Sequence, residues 1–145
     1  MKPSKLLLFL FLLLVSACGK EEDYIPSVPV SFRASLSDPR LSSLTNGGGV
    51  VVLLGYGVSG LIICRRPDNN AYVAFDRCST VNPSKKCALV PDNSGYLATD
   101  PCSGGKFSLL DGTAMRAPAS RPLKQYQVYT DNLLLQYLIE MPINF

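Results

Sequence analysis

From residue 28 onward the sequence predicts an all-β fold of antiparallel strands. Short runs rich in β-branched and aromatic residues alternate with clusters of Gly, Pro, Asn and Asp, about every 8 to 20 residues. No stretch there carries an apolar period of 3.6 with an opposite polar face over about ten residues or more. At 145 residues the chain is long enough for one domain with a real core and too short for two.

The first 17 residues stand apart from that domain. Lys2 and Lys5 introduce residues 6–15, an unbroken apolar run. As a helix the run rises about 15 Å, roughly half the hydrocarbon thickness of a bilayer. It is too short to span and reads as the apolar region of a secretory signal. Val15, Ser16, Ala17, Cys18 and Gly19 then place a cysteine directly after small residues. This resembles the lipobox of bacterial lipoproteins, which implies a signal peptide over 1–17 and a diacylated Cys18 as the mature N-terminus. A plain secretory signal with an incidental cysteine is the competing account, and it leaves that spacing unexplained.

Residues 18–27 read as the lipidated cysteine and a short, charged tether that contains a proline. Lys20, Glu21, Glu22 and Asp23 are similar to the acidic export signal of surface lipoproteins in the Bacteroidetes, and equally to an ordinary solvated linker. The formal charge of +3 owes much to Lys2 and Lys5, so the mature chain is close to neutral and no nucleic-acid partner is expected. The expected partner is the lipid bilayer, reached through Cys18, with an envelope protein of unknown identity as a second. The expected location is the cell envelope, at the outer membrane and its surface.

The domain over 28–138 begins with alternation from Val28 to Ala34. A short helical turn is expected near residues 39–44. Gly47, Gly48 and Gly49 lead into the apolar run 50–54, and are followed by a strand rather than a helix. With no Lys-Ser/Thr behind them they read as a hairpin lead-in and not as a phosphate loop. Strands are expected at 61–64 and 71–75, separated by the turn former Pro67-Asp68-Asn69-Asn70. Further strands are expected at 87–90, 96–99 and 106–110, with a turn at 92–95 between the first two. A last hairpin takes 123–129 and 133–138 around Thr130, Asp131 and Asn132, and 139–145 form a tail without functional signal.

The chain contains no histidine. That removes Ser-His-Asp and Cys-His catalysis, His-ligated zinc and His-held haem. No catalytic residue emerges. Cys78, Cys87, Cys102 and Asp100 offer three sulfurs and an oxygen for zinc, but no pair has C-x-x-C spacing, so no metal site is expected. Asp76 and Asp100 read as turn formers and caps, and Cys64 as a small buried apolar residue. Lys106, Arg116, Arg121 and Lys124 read as a solvated face.

Three segments carry a more specific pattern. They are Phe75-Asp76-Arg77-Cys78-Ser79-Thr80, then Asp100-Pro101-Cys102-Ser103-Gly104-Gly105-Lys106-Phe107, then Ala117-Pro118-Ala119-Ser120-Arg121-Pro122-Leu123 with Tyr126. Together they resemble the ligand boxes and final hairpin of a Rieske domain, and in particular Rieske-like lipoproteins of the Bacteroidetes. The resemblance implies a small Rieske-like domain of antiparallel sheets. Its family cofactor is a [2Fe–2S] cluster held by two thiolates on one iron and two imidazoles on the other. It also implies two loops, each giving one Cys and one His, pinned together by a disulfide.

The matching positions here are degenerate. Cys78 stands at a ligand Cys, Thr80 at a ligand His, Asp100 at the second ligand Cys and Ser103 at the second ligand His. Three of the four ligands are therefore replaced, and the expectation is a scaffold without cofactor. Such a scaffold is a non-enzymatic structural or binding module. The alternative keeps the family activity, as a [2Fe–2S] electron-transfer protein or the ferredoxin subunit of an oxidoreductase.

Cys102 matches the family's disulfide position in the second loop. Its nearest partner in the first loop is Cys87, four residues later than the family spacing, with Cys78 as the competing partner.

The anchor reading predicts that Cys18→Ala moves the protein from the detergent phase to the aqueous phase on cloud-point partitioning. Identical partitioning of both forms would refute lipidation at this residue.

Overall fold

A computed structural model of the chain describes residues 24–130 and 136–139, the last four by backbone alone. The signal, Cys18 and most of the tether lie outside these residues, as do 131–135 and 140–145. The described residues form ten strands: β1 Ser31–Ala34, β2 Val50–Leu53, β3 Leu61–Arg65, β4 Tyr72–Asp76, β5 Val90–Pro91, β6 Leu97–Thr99, β7 Lys106–Ser108, β8 Ala114–Arg116, β9 Gln125–Thr130 and β10 Gln136–Ile139. Short 3-10 helices take Pro39–Thr45 and Pro83–Lys85. All the pairings are antiparallel. A six-stranded sheet runs β1-β10-β9-β4-β3-β2, and a four-stranded sheet, β5-β6-β7-β8, is inserted in the chain between β4 and β9.

Side chains on a strand alternate between faces, and β3 and β4 are covered on both. Leu61 and Ile63 enter one core with Phe32, Leu41, Leu44, Val51, Leu53, Ala74 and Tyr126. Ile62 and Cys64 enter the other with Val73, Phe75, Leu89, Ala98, Phe107 and Leu109. Double burial is why 61–64 reads as a continuous apolar run instead of an alternation. The second core joins the two sheets and so carries the inserted subdomain.

The glycine run behaves as a hairpin lead-in. Gly48 N donates to Arg65 O and Arg65 N to Gly49 O, which zips β2 onto β3. A Cβ on Gly49 would overlap the Ser43 carbonyl, so the 3-10 helix can approach only a glycine there. That helix starts at Asp38, whose Oδ1 accepts from Arg40 N at 2.9 Å, and ends at Thr45, one residue beyond the expected turn.

Several elements differ from the sequence expectation. β1 starts only at Ser31, because Pro29 has no N–H to give to a ladder. Residues 87–90 contribute only β5 and one isolated bridge, Ala88 with Cys78, because this segment is spent on linking the loops. Leu109 and Leu110 leave β7, since Ser108 N turns back to Thr113 O and Leu109 N donates to Tyr96 O. β8 is short, largely exposed and shifted in register against β7, and has no apolar alternation to announce it. Packing also reaches into the stretch read as tether. Ile25 is buried, and Lys124 Nζ donates to Pro26 O at 2.9 Å.

Phe75 is fully buried between the sheets, and its ring lies against Gly112. Phe75→Ala should lower stability by about 3–5 kcal/mol in urea unfolding. A loss under about 1 kcal/mol would show that the sheets are joined elsewhere.

Candidate functional site: the pole of two loops

Residues 77–89 leave β4 as one loop, and residues 100–105 connect β6 to β7 as a second. Backbone bonds shape each loop from within. Leu89 N donates to Arg77 O and Ser79 N to Cys87 O, both at 2.8 Å, and Arg77 Nε adds a bond to Leu89 O at 2.7 Å. In the second loop Asp100 N donates to Gly105 O and Gly104 N to Asp100 O, again at 2.8 Å.

Two links then join the loops. One is covalent: Cys87 and Cys102 form a disulfide across 15 residues of sequence, with Cα atoms 6.3 Å apart. Cys78, the other partner open to Cys102, is a free and fully buried thiol. Closing a loop of this length contributes about 3 kcal/mol by the chain-entropy argument.

The other link is ionic and buried. Asp100 has no exposed surface, and its Oδ2 accepts from Ser79 Oγ of the opposite loop at 2.7 Å and from Ser103 Oγ at 2.6 Å. Its Oδ1 accepts from Cys102 N at 2.8 Å. Burial raises the carboxyl pKa. The bonds from Ser103, Ser79 and the backbone N–H groups of Cys102 and Ser103 outweigh that, holding it below the usual carboxylate value. Asp100 is thus an ionised acceptor held by donors from both loops.

The remaining candidate positions are also committed. Thr80 Oγ1 donates to Arg121 O at 2.9 Å, tying the first loop to the 117–122 segment, where Ala117–Pro118 is cis. Ser103 Oγ, besides bonding Asp100, accepts from Gly105 N at 3.2 Å. The Cys78 thiol lies 3.7 Å from Ser79 O and 3.8 Å from Pro83 O, the carbonyls available to its S–H. Burial raises its pKa. The Asp76 and Asp100 carboxylates add to that and the Ser59 bond and Lys86 oppose it, so the thiol stays neutral. Cys64 is a buried apolar side chain whose pKa burial pushes up to about 12.

Asp76 and Asp100 each cap a turn through the backbone N–H two residues on, as expected, but both are buried and also bond well beyond that turn. Asp76 ends β4 fully buried and accepts from Val58 N, Cys78 N and Tyr126 OH at 2.8 Å and from Ser59 N at 3.3 Å. It fixes the 55–60 turn beneath the first loop, and a Cβ on Gly57 would run into its carboxylate. Sequence spacing signalled only the local bond to Cys78 N, because the 58–59 turn and Tyr126 lie 17 to 50 residues away. The zinc set also changes. The sulfurs of Cys87 and Cys102 and a carboxylate oxygen of Asp100 lie within 4.8 Å of one another, but Cys78 is not a member of the group.

The basic residues do not act as one face. Lys106 and Arg116 are neighbours across β7 and β8, whereas Lys124 binds the N-terminal segment and sits 5.5 Å over the Tyr126 ring.

This architecture is shared with known structures. The cyanobacterial plasma membrane Rieske protein PetC3 from Synechocystis PCC 6803 superposes with a TM-score of 0.53 at 16% identity, over 79% of this chain and 99% of that one. The fold is Rieske-like. A complex of oxygenase and ferredoxin in carbazole 1,9a-dioxygenase gives a TM-score of 0.51 at 14% identity, over 77% of this chain and 97% of that chain. No protein-family model matches the sequence, and no curated protein matches it.

A Rieske-type [2Fe–2S] cluster needs two thiolates and two imidazoles converging on one gap. The residues of this Rieske-like pole do not fit it. Cys78 is the one free thiol among the four positions, the chain has no imidazole, and Asp100 and Ser103 are bonded to each other where two ligands would stand.

The Asp100 lock has a pH signature. A carboxyl held below its unfolded-chain value of about 3.9 stabilises the fold at every pH above that value. The contribution is lost as pH falls through the lower folded-state pKa. Asp100→Asn should therefore cost about 2 kcal/mol at neutral pH and flatten the loss of stability below about pH 4. Urea midpoints measured from pH 7 down to 2 check this, and parallel curves for the two proteins would refute it.

Proposed function

We propose that this chain is a lipid-anchored envelope protein whose Rieske-like domain works without an iron–sulfur cluster, as a non-enzymatic structural or binding module. The observation that carries this reading is the bond network of Asp100. An ionised carboxylate, two serine hydroxyls and a backbone N–H satisfy one another across the two loops at 2.6–2.8 Å. Opening that network to admit a cluster would strand a buried charge, at a cost of several kcal/mol. Two loops joined by a disulfide and a buried ionic lock form a rigid pole on the β scaffold. A rigid, preformed surface suits recognition of another envelope protein. Lipid on Cys18, the outer membrane and display at the cell surface complete the proposal.

A second reading, a [2Fe–2S] electron carrier, draws on the names of the structural neighbours, a Rieske protein and an oxygenase–ferredoxin complex. The test separates the two. The full-length protein in detergent, reconstituted anaerobically with iron and sulfide, should remain colourless and hold less than about one iron per ten chains. Two irons per chain with visible Rieske-type absorption would establish the carrier reading instead.

A further inference from the structure

We propose that the pole is a redox-gated metal site, in which Cys87, Cys102 and Asp100 bind a zinc-class divalent ion once the disulfide is reduced. The three donor atoms already lie within 4.8 Å of one another and come from both loops. Two thiolates and a carboxylate suit a tetrahedral ion of borderline softness, with water in the fourth position. Asp100 is oriented in advance by Ser79 Oγ, Ser103 Oγ and Cys102 N, the kind of outer hydrogen bonds that aim a ligating carboxylate. Cys102 is exposed, so a reductant and an ion can both reach the sulfurs, while Cys87 and Asp100 are buried and would hold the ion at the base of the loops. In the oxidised form both sulfurs are committed to each other, and the set offers no thiolate.

The chemistry balances with a dithiol reductant. One of its thiolates attacks the Cys87–Cys102 bond to give a mixed disulfide, and its second thiol resolves that, leaving the reductant as a disulfide. Two electrons and two protons pass to the protein, as two thiols. Binding of the divalent ion then releases those two protons as the sulfurs become thiolate ligands. This site uses the disulfide cysteines and not Cys78, so it differs from the ligand set of a Rieske cluster. It also fails separately from the reading above, which is decided by iron and sulfide uptake.

The test uses the full-length protein in detergent, reduced with dithiothreitol, desalted without oxygen and titrated with cobalt(II) as the probe. One cobalt per chain is expected, with thiolate-to-cobalt charge-transfer absorption and tetrahedral d–d bands that zinc bleaches. Oxidised protein should show neither band. Cys102→Ser should abolish the charge-transfer band of the thiolate pair, Ser103→Ala should weaken binding about tenfold, and Cys78→Ser should leave it unchanged. The proposal is overturned if reduced protein with its β circular-dichroism spectrum intact shows no bands, or if oxidised protein shows them. Loss of binding in Cys78→Ser overturns the ligand set. A reduced protein that has lost its folded spectrum overturns the proposal as well, because the site needs both loops in place.

Discussion

The bond from Ser79 Oγ to the Asp100 carboxylate crosses between two loops that share no strand pairing among the described residues, the isolated Cys78–Ala88 bridge lying within the first. Each loop is shaped by its own backbone bonds, but those fix only its local curvature. What holds one against the other is this buried charge, the adjacent disulfide and the packing of Leu89 and Phe107 beneath them. A buried carboxylate without donors would be a large liability. Here three donors surround it, so the same burial that makes the charge costly also makes its bonds strong and directional. Parting the loops would leave a buried charge short of a donor.

The rest of the architecture serves that arrangement. β4 ends at Asp76, whose carboxylate gathers Val58, Ser59, Cys78 and Tyr126 and so sets where the first loop departs. β6 and β7 deliver the second loop, and Phe107 at the head of β7 anchors it in the core that links the sheets. Thr80 then reaches the carbonyl of Arg121, bringing the 117–122 segment against the same pole. Asp76 and Asp100 therefore act in series, one placing a loop and the other closing it.

Between the loops of this Rieske-like scaffold the Ser79 hydroxyl bonds the Asp100 carboxylate, and the Ser103 hydroxyl supports that carboxylate from within the second loop. A likeness of structure at 16% identity speaks for the fold and not for electron transfer.

By itself the sequence determined the fold class, because runs of β-branched residues and turn formers depend on local geometry alone. The hairpins around residues 67–70 and 92–95 and the helical turn after Asp38 were legible for the same reason. It also showed that imidazole chemistry is excluded, since the chain has no histidine. Only the tertiary structure decided what Asp76 and Asp100 do. Whether an Asp in a loop is a solvated turn former or a buried acceptor depends on donors brought from other elements. Ser79 for Asp100, and Val58, Ser59 and Tyr126 for Asp76, arrive from 17 to 50 residues away. The choice of Cys87 over Cys78 as the partner of Cys102 was likewise a matter of where the longer first loop carries its second cysteine, a distance in space that no spacing in sequence encodes.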